Sequence, residues 1–282
     1  MTPPFGRVGI AGLGLIGGSI AMGIRAAWPA VTITACDRAD RLEAGRRRGL
    51  IDAEVSEAAG LAASECIVLA VPMAAMRDVI DQLGRCRARG IITDVGSTKR
   101  AVMAAAAAAG LRRFIGGHPM AGSEHAGLEH ARADLFRGRP WLLVASAATE
   151  ADKAVETFIT ALGGHPRWLS AENHDRTMAY VSHLPQLLAT TLMNVASRQV
   201  GEEGVAAGGP AFVEMTRLAS SPSALWQGIL SENADFTTEA LKRFVDALPD
   251  GADVGSAAWV REAFTHASQA RQRWLPADRS ED

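Results

Sequence analysis

The stretch from Arg7 to Asp37 constrains the fold more than any other part of the chain. Arg7-Val8-Gly9-Ile10-Ala11 is a short apolar strand that runs directly into Gly12-Leu13-Gly14-Leu15-Ile16-Gly17, and the residues through Trp28 have helical character. A second apolar strand, Val31 to Cys36, ends at Asp37, twenty residues beyond Gly17. Glycines in this spacing are weak evidence alone. A strand before them, a helix after them and a carboxylate at that distance together form a dinucleotide-binding fingerprint. Gly12 permits the tight turn, Gly14 lets the backbone approach a pyrophosphate, and Gly17 lets helix and strand pack closely. Leu15 and Ile16 then open the helix, whose N-terminal N–H groups face the phosphates. Asp37 is placed to accept hydrogen bonds from the adenosine ribose, and its charge repels a 2′-phosphate. This favours NAD over NADP, with the neighbouring Arg38 as the feature that favours NADP.

The alternation continues with a helix near Arg41 to Gly49, a strand at Cys66 to Val71 and a helix from Met76 to Cys86. A strand at Ile91 to Asp94, a helix from Lys99 through the alanine run and a strand at Phe114-Ile115 follow. Further strands at Trp141 to Val144 and Arg167 to Leu169 flank a helix from Thr149 to Leu162. Strands alternating with helices predict a mostly parallel, doubly wound sheet of the Rossmann type. Such a sheet binds ligands beyond the carboxyl ends of its strands. Val71-Pro72-Met73, Val95-Gly96-Ser97-Thr98-Lys99 and Gly117-His118-Pro119 all follow strand ends and are therefore predicted to converge on the edge that holds the cofactor.

From Ala171 onward the period is helical, with helices expected near Ala171 to Val200, Pro210 to Ala219, Pro222 to Leu248 and Ala252 to Leu275. Pro210 and Pro222 suit first-turn positions, where a missing N–H is harmless. The expected organisation is a dinucleotide-binding domain over 1–170 and an all-helical substrate and dimerisation domain over 171–282. Long helices on so little chain are expected to bury apolar faces against a second copy, as a homodimer.

The 282 residues are 48% hydrophobic and 21% charged, the balance of a globular protein. The net charge of -2 gives no general reason to expect nucleic acid, and Arg46-Arg47-Arg48 reads as a solvated helix face. No apolar run approaches the ~20 residues needed to span a bilayer, and Met1-Thr2-Pro3-Pro4 lacks a secretory signal pattern. Cys36, Cys66 and Cys86 are odd in number and lack metal-ligand spacing, so they read as free thiols in a reducing, cytoplasmic setting. No metal site is expected.

The chemistry is expected from Gly116 to Gly127, which packs glycines, a proline and the titratable His118, Glu124 and His125 into one loop-like stretch. A nicotinamide enzyme that takes a hydride from a carbinol carbon needs a base for the hydroxyl proton. His118, beside the cofactor edge, is the candidate. Ser97 can bond the same hydroxyl, orient the imidazole or cap the next helix, and Lys99 reads as solvated or near phosphate. Nine residues at ~100° each put His174 and His183 on nearly opposite faces of a continuous helix, so at most one faces the cofactor domain. Pro185 frees the Val181 carbonyl and kinks the helix beside His183, which favours His183 for the site and leaves His174 a structural or surface role. Arg217 offers a fork to a substrate carboxylate, with Glu214, three residues earlier on the predicted helix, orienting it or forming a local ion pair.

Together, Gly12 to Ser19, Asp94 to Lys99, Gly117 to Gly122, His183-Leu184-Pro185 and Thr216 to Ala219 resemble the prephenate and arogenate dehydrogenases of tyrosine biosynthesis. The resemblance covers nearly the whole chain. It implies oxidative decarboxylation of prephenate to 4-hydroxyphenylpyruvate, or of arogenate to tyrosine, with NAD as oxidant. It implies that His118 receives the hydrogen bond of the ring C4 hydroxyl as hydride leaves C4, that Ser97 is its hydroxyl-bearing partner, and that Arg217 binds a substrate carboxylate. His183, Glu124 and Trp226 match residues lining or gating that pocket. Some members carry an ACT or chorismate mutase domain; neither is expected in this chain. The alternatives are a dehydrogenase acting on an amino-substituted prephenate and a 3-hydroxy-acid dehydrogenase, the latter disfavoured because no lysine stands near His183. A non-catalytic dinucleotide-binding protein is the third, disfavoured because it has no use for a base beside a nicotinamide.

Overall fold

The computed structural model describes residues 2–122, 126–145, 150–251 and 253–274. Eight strands form one sheet: β1 (Arg7–Ala11), β2 (Thr32–Cys36), β3 (Ala53–Val55), β4 (Cys66–Leu69), β5 (Ile91–Asp94), β6 (Phe114–Pro119), β7 (Pro140–Val144) and β8 (His165–Trp168). Their spatial order is β3-β2-β1-β4-β5-β6-β7-β8, and every pairing is parallel except β6 with β7. The sheet reverses its strand order between β1 and β4, the point at which doubly wound sheets take nucleotides. β4 and β5 read CIVL and IITD and are buried on both faces, which is why they form continuous apolar runs with no alternation.

The helices α1 (Leu15–Ala27), α2 (Ala39–Arg47), α3 (Met73–Arg85), α4 (Arg100–Ala108) and α5 (Glu150–Ala161) connect these strands. One apolar layer joins Ile20, Ile24, Ile10, Ile33, Trp141 and Phe158; the other joins Ile67, Leu69, Met76, Ile80 and Val102. The predicted alternation thus forms, with β3 as an addition. At three residues, two of them exposed, β3 carries too little apolar pattern to be read locally.

Helices α6 (Ala171–Met178), α7 (Leu184–Ala206), α8 (Pro210–Thr216), α9 (Ser223–Glu232), α10 (Ala234–Asp246) and α11 (Ala257–Trp274) make up the helical part. The predicted helix from Ala171 is interrupted at Ala179–His183 by a π turn, in which the Leu184 N–H bonds the Ala179 carbonyl. Pro185 lacks the N–H that would bond the Val181 carbonyl, so a single α-helical ladder through this point is impossible. Gly201, at φ 68°, breaks regular geometry where the sequence predicted the helix to end. The single helix predicted from Pro222 to Leu248 is two, because Asn233 turns its side chain inward to bond other segments, and Pro222 stands one position before the first turn.

The chain divides into two compact units, Met1–Thr237 and Thr238–Asp282. The first runs well past the sheet, since Asp175, Asn233 and Asp235 all bind Arg100. Among the described residues, no helix is long and apolar enough to cross a membrane, and no group of His, Cys, Asp or Glu is arranged to hold a metal ion.

Candidate active site

The glycine turn after β1 is shaped by close backbone contacts. Gly12 has φ +97°, and a Cβ there would lie 2.4 Å from the Ala70 carbonyl oxygen; one on Gly17 would lie 1.8 Å from the Gly12 carbonyl oxygen. Only glycine allows this packing of the β1 and β4 loops. Gly14 faces open space and occupies the N-cap of α1 without a side-chain cap, so the N-terminal N–H groups of Leu15, Ile16 and Gly17 lack intrahelical acceptors. Asp37 accepts the Leu13 N–H at 2.6 Å and the Arg38 N–H at 2.7 Å. The Arg38 guanidinium is exposed and paired with Asp40 at 3.4 Å. Val71 and Pro72 follow β4, where Pro72 is the N-cap of α3 and the Val71 nitrogen borders Gly12. A strand end, open helix N-terminus and ribose-height carboxylate fit a dinucleotide.

His118 lies within β6, not beyond its end as the sequence suggested. Phe114 and Ile115 pair with β5, after which Gly116 to Pro119 pair with antiparallel β7 and continue past the end of β5. The overhang is held by Asp94, the last residue of β5, whose two oxygens accept the Gly117 N–H at 2.9 Å and the Gly96 N–H at 2.8 Å. Gly117 is required here, because a Cβ would meet the Asp94 carbonyl oxygen at 2.4 Å. Lys99 completes the anchor. It is wholly buried and its Nζ donates to Asp94, which corrects its reading as a solvated or phosphate-facing lysine.

His118 is half-buried, and its Nδ1 lies 2.9 Å from His174 Nε2. His118 Nε2 has no hydrogen-bond partner among the described residues. His174 Nδ1 in turn lies 2.8 Å from Asp175 Oδ1. Both His174 and His183 are buried, which overturns the opposite-face reading. The π turn adds about one residue to the coil between them, and one residue is worth ~100° of phase. Asp175 also caps α4, accepting the Lys99 N–H at 2.7 Å and the Arg100 N–H at 2.9 Å. Ser97 and Thr98 therefore do not cap that helix; Thr98 instead donates to Glu232. Ser97 sits half-buried in the loop after β5.

His183 Nδ1 lies 3.2 Å from both Thr237 Oγ1 and Asn233 Nδ2, and its ring stands edge-on to Trp226 at 6.0 Å. Glu214 is exposed on α8. That helix ends at Thr216, so Arg217 opens a following 3-10 turn rather than sharing a regular helix with Glu214. The Arg217 turn is tied to α7 by Gln186, which donates to the Leu218 carbonyl at 2.7 Å and accepts from Ser221. Glu124 and His125 lie outside the described residues.

Residues 20–165 match the family described as prephenate dehydrogenase, nucleotide-binding domain, and residues 170–251 match prephenate dehydrogenase, dimerization domain. The chain belongs to the prephenate dehydrogenase family. It is 34% identical over 247 residues to prephenate dehydrogenase of Lactococcus lactis subsp. cremoris, covering 84% of this chain and 68% of that relative. Cyclohexadienyl dehydrogenase of Zymomonas mobilis is 31% identical, covering 86% and 85%. Among solved structures, prephenate dehydrogenase from Aquifex aeolicus in complex with hydroxyphenyl propionate and NAD+ superposes with a TM-score of 0.86 at 25% identity, covering 95% of this chain and 97% of that one.

Sequence reasoning missed the connection of His174 and Asp175 to His118. The adjacency of a histidine to an aspartate at a predicted helix start was the available signal.

Burial also sets the histidines' charge. It pushes the His118 imidazole well below its ordinary range, helped by His174, Lys99 and His183 and opposed by Asp175. Burial likewise pushes His183 down to about 4, with Asp175 opposing and His174 adding to the fall. The unfolded chain therefore binds these protons first, near pH ~6.5, so stability is complete above that pH and falls as the pH drops toward about 4. His183 alone is expected to account for a loss on the order of 3 kcal/mol across that window. Urea midpoints measured from pH 7 to 4 check this, and His183→Gln should flatten the slope; an unchanged slope assigns it elsewhere.

Proposed function

We propose that this chain is an NAD-dependent prephenate dehydrogenase, converting prephenate to 4-hydroxyphenylpyruvate and CO2. The observation that carries the reading is His118, held on the strand overhang with Nε2 unpaired among the described residues, on the sheet edge where the glycine turn opens. NAD, when bound, supplies the acceptor for the hydride of ring C4. Gly12 to Gly17 hold its pyrophosphate at the start of α1, Asp37 holds the ribose hydroxyls, and the Val71-Pro72 segment borders the same turn. His118 Nε2 accepts the hydrogen bond and then the proton of the C4 hydroxyl, and Ser97 bonds the same oxygen. The electron pair of the leaving carboxylate enters the ring, which becomes aromatic, and the resulting phenolate oxygen takes the proton back from His118, so the protein's task is placement and proton transfer. Arg217 binds a substrate carboxylate, and His183 and Trp226 bound the pocket, with a role for Glu124 carried over from the family resemblance alone.

Residues 1–170 form the dinucleotide part and 171–282 the substrate and dimerisation part of this reading. A homodimer through the helical part is supported by the exposed Leu192, Val195 and Val200 of α7 and the exposed Val213 and Met215 of α8. Arogenate is the second substrate to test, since a cyclohexadienyl dehydrogenase is among the relatives.

Purified protein is mixed with NAD or NADP and with prephenate or arogenate, following reduced nicotinamide and the aromatic product. Equimolar NADH and 4-hydroxyphenylpyruvate are expected, with kcat/KM at least ~10-fold higher for NAD, a difference of about 1.4 kcal/mol. Absence of turnover with both substrates would overturn the reading.

A further inference from the structure

We propose that His174 and Asp175 are positioning residues that fix the tautomer of His118, placing its proton on Nδ1 and leaving Nε2 as a bare acceptor. The inference rests on His118 being the base of the reaction above, although the tautomer itself follows from the hydrogen bonds that lead back to the Asp175 carboxylate and not from the reaction.

The direction of the chain of bonds follows from the far end. Asp175 Oδ1 accepts the Lys99 N–H, and Oδ2 accepts the Arg100 N–H together with Arg100 Nε at 3.2 Å. Burial alone would raise this carboxyl, but the bonds from His174 and from the Arg100 and Lys99 backbone outweigh it and hold the group below its usual range. An ionised carboxylate only accepts, so the contact at 2.8 Å requires that His174 Nδ1 carry a proton. A neutral His174 then presents a lone pair at Nε2. His118 Nδ1, 2.9 Å away, must donate to it, and the remaining nitrogen of His118 is the acceptor.

Neither ring can easily turn away from this arrangement. His174 is fully buried, and the backbone carrying Asp175 is pinned by Asn233 Nδ2, which donates to its carbonyl at 2.8 Å. Arg100 ties the same corner to Asp235 through two bonds of 2.7 and 2.6 Å. When His118 takes a proton at Nε2, its Nδ1–H keeps the bond to His174, and the Asp175 charge lies one ring away to offset the imidazolium. Lys99 and His183 are the other titratable groups that face His118, and Lys99 is already paired with Asp94.

The test is long-range 1H–15N NMR of the full chain labelled at histidine, which reads the tautomer with no substrate present. His118 in the wild type is expected as the Nδ1–H form. His174→Phe removes the acceptor and should shift His118 toward the Nε2–H form, lowering kcat by about 10- to 100-fold with KM changed by less than about 3-fold. His174→Gln can accept from His118 and donate to Asp175, so it should restore the Nδ1–H form and most of kcat. A wild-type His118 protonated on Nε2, or an Nδ1–H signal unmoved in His174→Phe, would overturn the proposal. Should His174→Phe fail to fold, the wild-type spectrum and His174→Gln still decide it. An Nδ1–H His118 in a protein inactive on prephenate and arogenate would instead remove the reaction and leave the relay standing.

Discussion

His118→Asn is expected to lower kcat by at least ~10²-fold while NAD affinity changes by less than about 3-fold. The asparagine amide can still donate toward His174 Nε2, so the strand overhang and its anchor at Asp94 should survive. What it cannot do is take a proton, because an amide oxygen is far too weak a base at neutral pH. Such a change removes an interaction made as the hydroxyl ionises, so it should appear in kcat rather than in substrate binding. Steady-state kinetics with prephenate, together with NAD titration by calorimetry, check both halves. A kcat within a few-fold of wild type would take the base away from His118 and shift attention to the hydroxyl of Ser97. A large fall in NAD affinity would show instead that the substitution had disturbed the neighbouring glycine turn.

The parts of this architecture that were legible in the sequence are those written in local pattern. The strand, glycine turn and helix from Arg7 to Ala27 need only contiguous residues, and the acidic residue after β2 follows at a set distance. His118 could be picked out from its strand and its composition. Its neighbours could not. Asp175 caps a helix that begins seventy-five residues earlier, and nothing in the Ser97-Thr98 stretch shows that the cap comes from outside. A constant 3.6-residue period from His174 to His183 misplaces His174, because a π turn at Ala179–His183 replaces the regular ladder between them. Lys99 was misread for a related reason. A lysine opening a helix is ordinarily solvated, and only the fold brings an anionic partner and a roof of β6 over it.

That buried lysine leads to the largest expected effect on stability. Lys99 and Asp94 are both fully buried and bonded to each other, and removing one partner from such a pair leaves a charge without compensation. Lys99→Met is therefore expected to destabilise the fold by about 3–5 kcal/mol, a large share of the 5–15 kcal/mol typical of native proteins. Methionine is unbranched and close in length, so it fills the space against Gly116 and Met103 and keeps the cavity contribution small. The Gly96 and Gly117 N–H groups still meet the Asp94 carboxylate, which limits the loss and keeps it from exceeding that range. Asp94→Asn combined with Lys99→Met removes both charges, and the double variant should retain at least about 1 kcal/mol more than the sum of the two single losses predicts. Guanidinium unfolding of the four proteins measures this coupling. Strict additivity would mean that the two groups do not act as a pair, and the overhang of β6 that carries His118 would then have to owe its position to the β7 ladder alone.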